Sequence, residues 1–354
     1  MKSNLTLTVN FVPNPFLATK GSYRGLFDTA GLARHESAGA FNLLVTDRGA
    51  YSGKFWLAGR SYPVSGLFDL GGRATNRVTV SETTTATVEW SLNLSPGSDV
   101  INGRVLQGLS WAATLTGARA WFNAATNKAT HYAGKYTMVI PGQPDPAVGP
   151  QGDGIATMAI YLAGNATILG TLADNTPFTL KAALTKDGQW PAYLPLYSGR
   201  GSLWGWVAIS NEPSRSLSGS VSWVRPPLPP SPFYPDGFAT NTFSVIGGGF
   251  VPPQPASSNL LPFSRGTVEF LRGELAEPFR NGITNLLGNR VVNQGPGPMT
   301  LLLTPASGLF RGTATLPGLP KPAPFKGVWL QSAQTGRGFF VGPNSTGAVR
   351  LQAE

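Results

Sequence analysis

The feature that most constrains this chain is a five-residue pattern that keeps returning: an apolar residue, a mostly polar one, a glycine, any residue, and a second apolar one. It reads Tyr23-Arg24-Gly25-Leu26-Phe27, Tyr51-Ser52-Gly53-Lys54-Phe55, Val64-Ser65-Gly66-Leu67-Phe68 and Ile101-Asn102-Gly103-Arg104-Val105. It returns as Ile168-Leu169-Gly170-Thr171-Leu172, Leu217-Ser218-Gly219-Ser220-Val221, Phe310-Arg311-Gly312-Thr313-Ala314 and Phe325-Lys326-Gly327-Val328-Trp329. Successive side chains of a strand alternate between its faces, so both apolar residues and the glycine share one face. Glycine weakens a strand interior, and its recurrence at the same point of each unit predicts a bend or bulge where a strongly coiled sheet closes. The pattern therefore predicts an all-β chain of antiparallel barrels rather than flat sandwiches. Turn signals such as Asp47-Arg48-Gly49, Ser95-Pro96-Gly97, Asp187-Gly188 and Ser307-Gly308 cut it into hairpins.

Composition agrees with a turn-rich β chain. The 354 residues include 44 Gly and 31 Pro, with 12% charged and 41% hydrophobic residues, too apolar for disorder and too sparsely charged for an average globular surface. There is no cysteine, so disulfides and thiolate metal sites are excluded. The formal charge of +10 favours anionic polymers, envelopes or acidic glycans. Without a basic run, a helix-turn-helix pattern or finger spacing, no nucleic-acid partner is implied. No stretch approaches the ~20 apolar residues of a membrane helix, and the prolines and scattered cations fit poorly with a lipid-facing barrel band. The opening Met1-Lys2-Ser3-Asn4-Leu5-Thr6 alternates like a strand rather than a signal-peptide core.

Three modules are expected: residues 21–133, 134–224 and 236–354, the first two separate or closing one barrel together. They begin near Gly21-Ser22-Tyr23, Gly134-Lys135-Tyr136 and Asp236-Gly237-Phe238. Residues 1–20 read as the end of an upstream repeat with its linker. The proline-rich stretch 225–235 cannot donate through a ladder and is read as an extended linker before the third module. Pro141 to Gly154 reads as a long loop. No segment has a convincing helical period, although Val268 to Leu275 could form one short turn.

The stretches GSYRGLFDTAG, KDGQWPAYLPLYSGRGSLWGW, LSGSVSWVRP and FKGVWLQSAQTGRGFFVGPNSTGAVRL resemble an uncharacterised C-terminal region of large exported proteins of Verrucomicrobia and related bacteria. The resemblance spans nearly all of residues 12–354. Upstream, MKSNLTLTVNF resembles the closing strand of extracellular repeats of the internalin B-repeat type. The resemblance implies an extracellular or cell-surface location, as the terminal piece of a longer exported protein. It implies no catalytic residues.

Catalytic chemistry has few groups to draw on. His35 and His131 are the only histidines, and no G-x-S-x-G elbow accompanies them. Two isolated histidines cannot build a transition-metal site, so no metal and no cofactor are expected. A glycosidase needs only two facing acids, for which Asp153, Asp187 and Glu212 are the candidates, although Asp-Gly is also the ordinary currency of hairpin turns. Aromatic side chains are the resource in surplus. Between Asp187 and Trp206 lie three tryptophans and two tyrosines, and such rings can stack on the CH face of a sugar or fill a barrel. Trp204 and Trp206 share one strand face and Leu203 and Val207 the other, so one face meets a core and the other a second layer or a ligand. Pro191 and Pro195 place Trp190, Tyr193 and Tyr197 in an extended, edge-exposed segment, with Tyr193 and Tyr197 on one side. These five aromatics are the candidate ligand-binding residues.

Three functions are consistent with these residues. The first is a non-catalytic surface module that binds carbohydrate or an anionic envelope polymer. The second is a structural or secretion-related C-terminal domain, favoured if the large aromatics are buried. The third is a hydrolase acting on polysaccharide or ester through an acid pair. The balance of residues is against an enzyme.

Overall fold

A computed structural model describes residues 13–210, 212, 215–231, 233–255 and 258–354, apart from the side chains of Asn241 and Thr242. The expected closing strand of an upstream repeat lies outside the described residues. The chain is all-β, as expected. Its first sheet holds β1 (Gly21–Asp28), β2 (Gly39–Val45), β3 (Ala50–Leu57), β4 (Arg60–Leu67), β5 (Arg73–Ser81), β6 (Thr84–Leu92), β7 (Val100–Gln107) and β8 (Trp111–Arg119). The second holds β9 (Gly134–Ile140), β10 (Gly154–Ile160), β11 (Asn165–Thr171), β12 (Pro177–Ala183), β13 (Gln189–Leu196), β14 (Gly201–Ile209), β15 (Leu217–Arg225) and β16 (Phe238–Phe250). The third holds β17 (Arg265–Leu271), β18 (Phe279–Leu286), β19 (Arg290–Asn293), β20 (Met299–Thr304), β21 (Leu309–Ala314), β22 (Ala323–Leu330), β23 (Thr335–Val341) and β24 (Thr346–Ala353). The helical elements are short: Phe16–Thr19, His35–Ser37 and Tyr197–Gly199.

All three sheets share one topology. Within each, neighbours in sequence pair antiparallel, and the first strand pairs with the eighth: Tyr23 opposite Arg119, Tyr136 opposite Gly249, Val268 opposite Leu351. The two edges of each sheet are consecutive strands, the fourth and fifth in the first two sheets and the third and fourth in the last, and they face each other across a seam. The result is three nearly closed barrels. Prolines follow this plan: Pro63 lies in the seam strand β4, and Pro191 and Pro195 in the seam strand β13, where a missing N–H costs no ladder bond on the open side.

The repeating pattern builds the barrel interiors. Both apolar positions of all eight copies lie in the three interior clusters. All eight glycines lie inside strands. Their recurrence has a steric cause. A Cβ at Gly53 would overlap the carbonyl oxygen of Asn42 on β2, and one at Gly312 the carbonyl of Thr300 on β20. The tightly coiled strands leave room for hydrogen only at these crossings. With eight strands, the interior is just wide enough for side chains to fill it. In the second barrel the void left is about 20 Å³, room for no more than about one water.

The first two modules begin where the sequence places them and close separately. Each opens on a glycine with φ of +146° followed by a buried tyrosine, whose hydroxyl donates to the carbonyl four residues earlier: Tyr23 to Thr19 at 2.7 Å, Tyr136 to Tyr132 at 2.6 Å. The third boundary needs correction. Phe238 opens β16, the closing strand of the second barrel, and the third barrel begins at Arg265. The proline-rich stretch 225–235 is thus a loop within the second barrel, and it is pinned there. Arg225 donates from Nη1 to Asp174 Oδ2 at 2.7 Å and from Nη2 to Ser231 Oγ and the Phe233 carbonyl, both at 2.8 Å. The segment Val268 to Leu275 is also corrected, its first half completing β17 as strand, with a turn after it. At 13 residues β16 is the longest strand, and its last residue, Phe250, enters the core of the third barrel.

Candidate binding groove between the first two barrels

The barrels meet through apolar joints. At the first, Leu26, Ala33, Ala38 and Ala40 of the first barrel pack on Tyr193 and Trp204 of the second, with Trp56, Trp206 and Val224 around them. Trp204 donates from Nε1 to Asp28 Oδ2 at 3.1 Å, and Gly59 N–H donates to the Tyr193 hydroxyl at 3.2 Å. Burial pushes the Tyr193 phenol up to about 12. His35 lies between Ser202 Oγ and the Gly199 carbonyl, 2.9 Å from each. The carbonyl only accepts, so Nε2 carries a proton and, in the neutral ring, Nδ1 accepts from the serine. This serine–histidine pair is structural, because Ser202 is fully buried and the second ring nitrogen meets a carbonyl where a triad would place an acid.

These contacts reassign the expected aromatic platform. Trp190 is completely buried inside the second barrel. The expected exposure fails because β13 pairs with β14 along its whole length despite its prolines. The strand face shared by Trp204 and Trp206 does meet a second layer, the first barrel, while Leu203 and Val207 point inward. Tyr193 and Tyr197 do not fall together. The chain turns at Tyr197 and Ser198, with φ of 54° and 59°, and this swings Tyr197 to the barrel end. There its hydroxyl donates to Asp174 Oδ2 at 2.6 Å and accepts from Trp223 Nε1 at 3.0 Å. Burial and the Asp174 carboxylate raise the Tyr197 phenol well above its ordinary value.

The three candidate acids are not brought together. Asp153 is buried at the joint between the second and third barrels, where it accepts from Arg337 Nε at 2.8 Å, Arg337 Nη2 at 3.0 Å and Gly142 N at 2.9 Å. It borders a cavity of about 320 Å³ with Arg272, Arg337 and Arg350. Glu212 is exposed in the loop between β14 and β15. Asp187 lies in the β12–β13 turn, where Gly188 has a φ of +70°.

Asp187 and Trp206 do meet in one place, a groove of about 410 Å³ between the first two barrels. The first barrel contributes Asp99, Asn102 and Thr116, and the second Lys186, Asp187, Gln189 and the partly exposed ring of Trp206. Asp99 is engaged from both sides. It forms a close ion pair with Arg119, and Lys186 Nζ stands 3.5 Å away. Both its oxygens are withdrawn from solvent, and neither has hydrogen-bond geometry toward its cations. Arg119 in turn lies 5.2 Å above the ring of Trp121, the most exposed tryptophan at 38%. The groove thus offers one aromatic face, amide and hydroxyl groups and one free carboxylate, Asp187. Asp99, Asn102, Lys186, Gln189 and Trp121 had no sequence signal, because their proximity depends on how two barrels dock.

Among the described residues no cluster of three or more potential metal ligands exists, and no helix is long and apolar enough to cross a membrane. No family model matches the chain, and no curated protein matches it. Among solved structures it is similar to a protein of unknown function of the DUF3598 family from Nostoc punctiforme, with 9% identity over 67% of this chain and 98% of that one. The TM-score is 0.21, and the likeness carries no functional argument.

Proposed function

We propose that this chain is a non-catalytic module of a larger exported protein, and that it holds carbohydrate of an extracellular or envelope polymer in the groove between its first two barrels. The observation that carries the reading is the convergence of Trp206, Asn102, Gln189 and Asp187 on one concave surface. A partly exposed indole offers an apolar face with a polar edge, and a few placed amides and a carboxylate fix the orientation of hydroxyls around it. The groove does not suit glycoside hydrolysis. Of its two acids, Asp99 is locked between Arg119 and Lys186 with no oxygen open to a substrate, whereas that chemistry needs two acids facing the sugar.

Retention of the purified chain on insoluble polysaccharides and on peptidoglycan, with assay of released sugars, tests this reading. Retention without soluble product is the expected result. Trp206→Ala weakens it about tenfold, equivalent to ~1.4 kcal/mol, while circular dichroism shows the barrels still folded. Failure to bind any polymer of the panel overturns the proposal, and sugar release that disappears in Asp187→Asn replaces it with a hydrolase.

A second reading, a rigid structural module, is favoured by one observation: Trp90, Trp190, Trp204, Trp223 and Trp329 are all buried. Loss of binding by every tested polymer, with the barrels still locked together, is the result this reading expects.

A further inference from the structure

A second groove, larger than the first, lies between the outer faces of the second and third barrels, with a volume of about 870 Å³. That is within the ~300–1,000 Å³ of small-molecule sites. One wall is β10 and β11, with Ile155, Thr157, Leu169 and Thr171; the other is β20 to β22. Strand alternation sets the second wall. Leu302, Arg311 and Lys326 are direct cross-strand neighbours, continued on β23 by the buried Phe339. The next row is Thr300, Thr313 and Pro324. Leu169 and Leu302, on opposite walls, are 54% and 60% exposed.

Charge distinguishes this groove from the one described above. None of its lining residues is acidic. Among the described residues Arg311 and Lys326 take part in no ion pair, although they stand directly opposite each other, an arrangement of like charges that destabilises a sheet. Lys326 spends one donor on Asn175 Oδ1 at 3.0 Å and lies 5.5 Å from the Phe339 ring centre, which leaves two of its N–H groups and the Arg311 guanidinium for a ligand. Burial also pulls the Lys326 amine below its ordinary value, as befits a cation held in apolar surroundings without a counter-charge. No aromatic face is presented for a sugar, because Phe310 and Phe325 are both 98% buried and only floor the groove. The remaining surface is aliphatic and hydroxylic.

We infer that this groove binds an anionic amphiphile, its acyl chain lying between Leu169 and Leu302 and its carboxylate or phosphate head against Arg311 and Lys326. Head and chain make separable demands: the head needs two cations without a competing acid, and the chain needs an aliphatic trough closed on two sides.

Calorimetric titration of the full chain with decanoate, below its micelle threshold, tests the inference. Saturable one-to-one binding is expected, with the negative heat-capacity change of apolar burial. Decyl phosphate binds comparably if the site reads charge alone and more tightly if it reads a dianion; either outcome supports an anionic head. Decyltrimethylammonium, with the same chain and the opposite charge, binds at least about tenfold more weakly, as does the double variant Arg311→Gln/Lys326→Gln toward decanoate. Leu302→Asp abolishes binding of decanoate. All substituted side chains reach the surface, and an unchanged melting temperature establishes that each variant is folded. Equal affinity for the cationic amphiphile, acetate binding as tightly as decanoate, or a double variant that binds like the parent would each overturn the inference. Tighter binding of polygalacturonate than of decanoate would do so too, by making the groove an acidic-glycan site. The polysaccharide groove at the other joint is untouched by these variants, so the two proposals fail independently.

Discussion

The two joints of this molecule connect equivalent barrels by opposite chemistry. The first is aromatic: Trp204 and Tyr193 press into the first barrel, and a histidine bridges to a buried serine. The second is aliphatic with an ionic centre. Val139, Ile155, Val328, Leu330 and Phe339 form its core, the Asp153–Arg337 pair lies beside them, and Thr137 donates to the Trp329 carbonyl at 2.9 Å. The grooves left beside the joints differ accordingly, one bearing carboxylates and an indole, the other two unpaired cations and leucines. The difference teaches that in this fold the interior positions are committed to closing barrels, so individuality is written on outward-facing strand positions and expressed only where two barrels dock.

The comparison is broken most severely by removing the aromatic anchor. Trp204→Ala leaves a cavity in a site now 98% buried and frees the Asp28 carboxylate of its donor; it is expected to cost about 3–5 kcal/mol. Urea unfolding followed by fluorescence reads this cost and is expected to show the first barrel's transition separating from the others. A loss under ~0.5 kcal/mol, the range of an ordinary surface change, would mean that the first joint does not depend on its aromatics.

Next in size is the ionic centre of the second joint. In Arg337→Ala the Asp153 carboxylate, 4% exposed as a side chain, keeps only the Gly142 N–H, and an unpaired buried charge of this kind costs about 3 kcal/mol. Arg337 is itself 22% exposed, so the value lies at the low end for a buried pair. The double variant Arg337→Ala/Asp153→Asn is expected to recover part of the loss, because the second change removes the stranded charge. Strictly additive losses in the double-mutant cycle would mean that the pair does not act as a unit.

The barrels were legible in the sequence and the joints were not. The apolar–x–Gly–x–apolar pattern is a local statement, since period two fixes which residues point inward and the glycine marks where strands cross too closely for a Cβ. A loop's destination is not local. The stretch 225–235 has the composition of a linker, yet Arg225 reaches Asp174, 51 residues away, and holds the segment across the second barrel. Trp190 misleads for a related reason: prolines suggest a broken edge, but β13 is a seam strand whose proline nitrogens face the opening while its other side pairs fully. Of the expected site residues, Trp206 and Asp187 do reach one groove. Asp99 and Asn102 reach it from a different barrel, and nothing in their local sequence marks them.

Alkali gives the smallest effect and sharpens the account of the first joint alone. Tyr193 is raised from 10.0 to about 12, mainly because burial penalises the phenolate and in spite of the Gly59 N–H that favours it. A raised folded pKa contributes stability that is fully present below the unfolded value and is lost as pH rises through the folded one. The window is therefore pH 10 to 12, and the ceiling for a shift of that size is about 2–3 kcal/mol. Tyr23, raised to about 12 by burial inside the first barrel, titrates over the same interval, so the parent chain alone cannot assign the loss to the joint. Tyr193→Phe separates them. It forfeits the Gly59 hydrogen bond at every pH, a constant offset of about 1 kcal/mol, and it removes one of the several buried phenols that must ionise. Plotted against pH, the unfolding free energy of the variant should begin below that of the parent and approach or cross it between pH 10 and 12. Parallel curves through that interval would show that Tyr193 ionises without opening the joint, and the contact between the first two barrels would then rest on Trp204 and its neighbours.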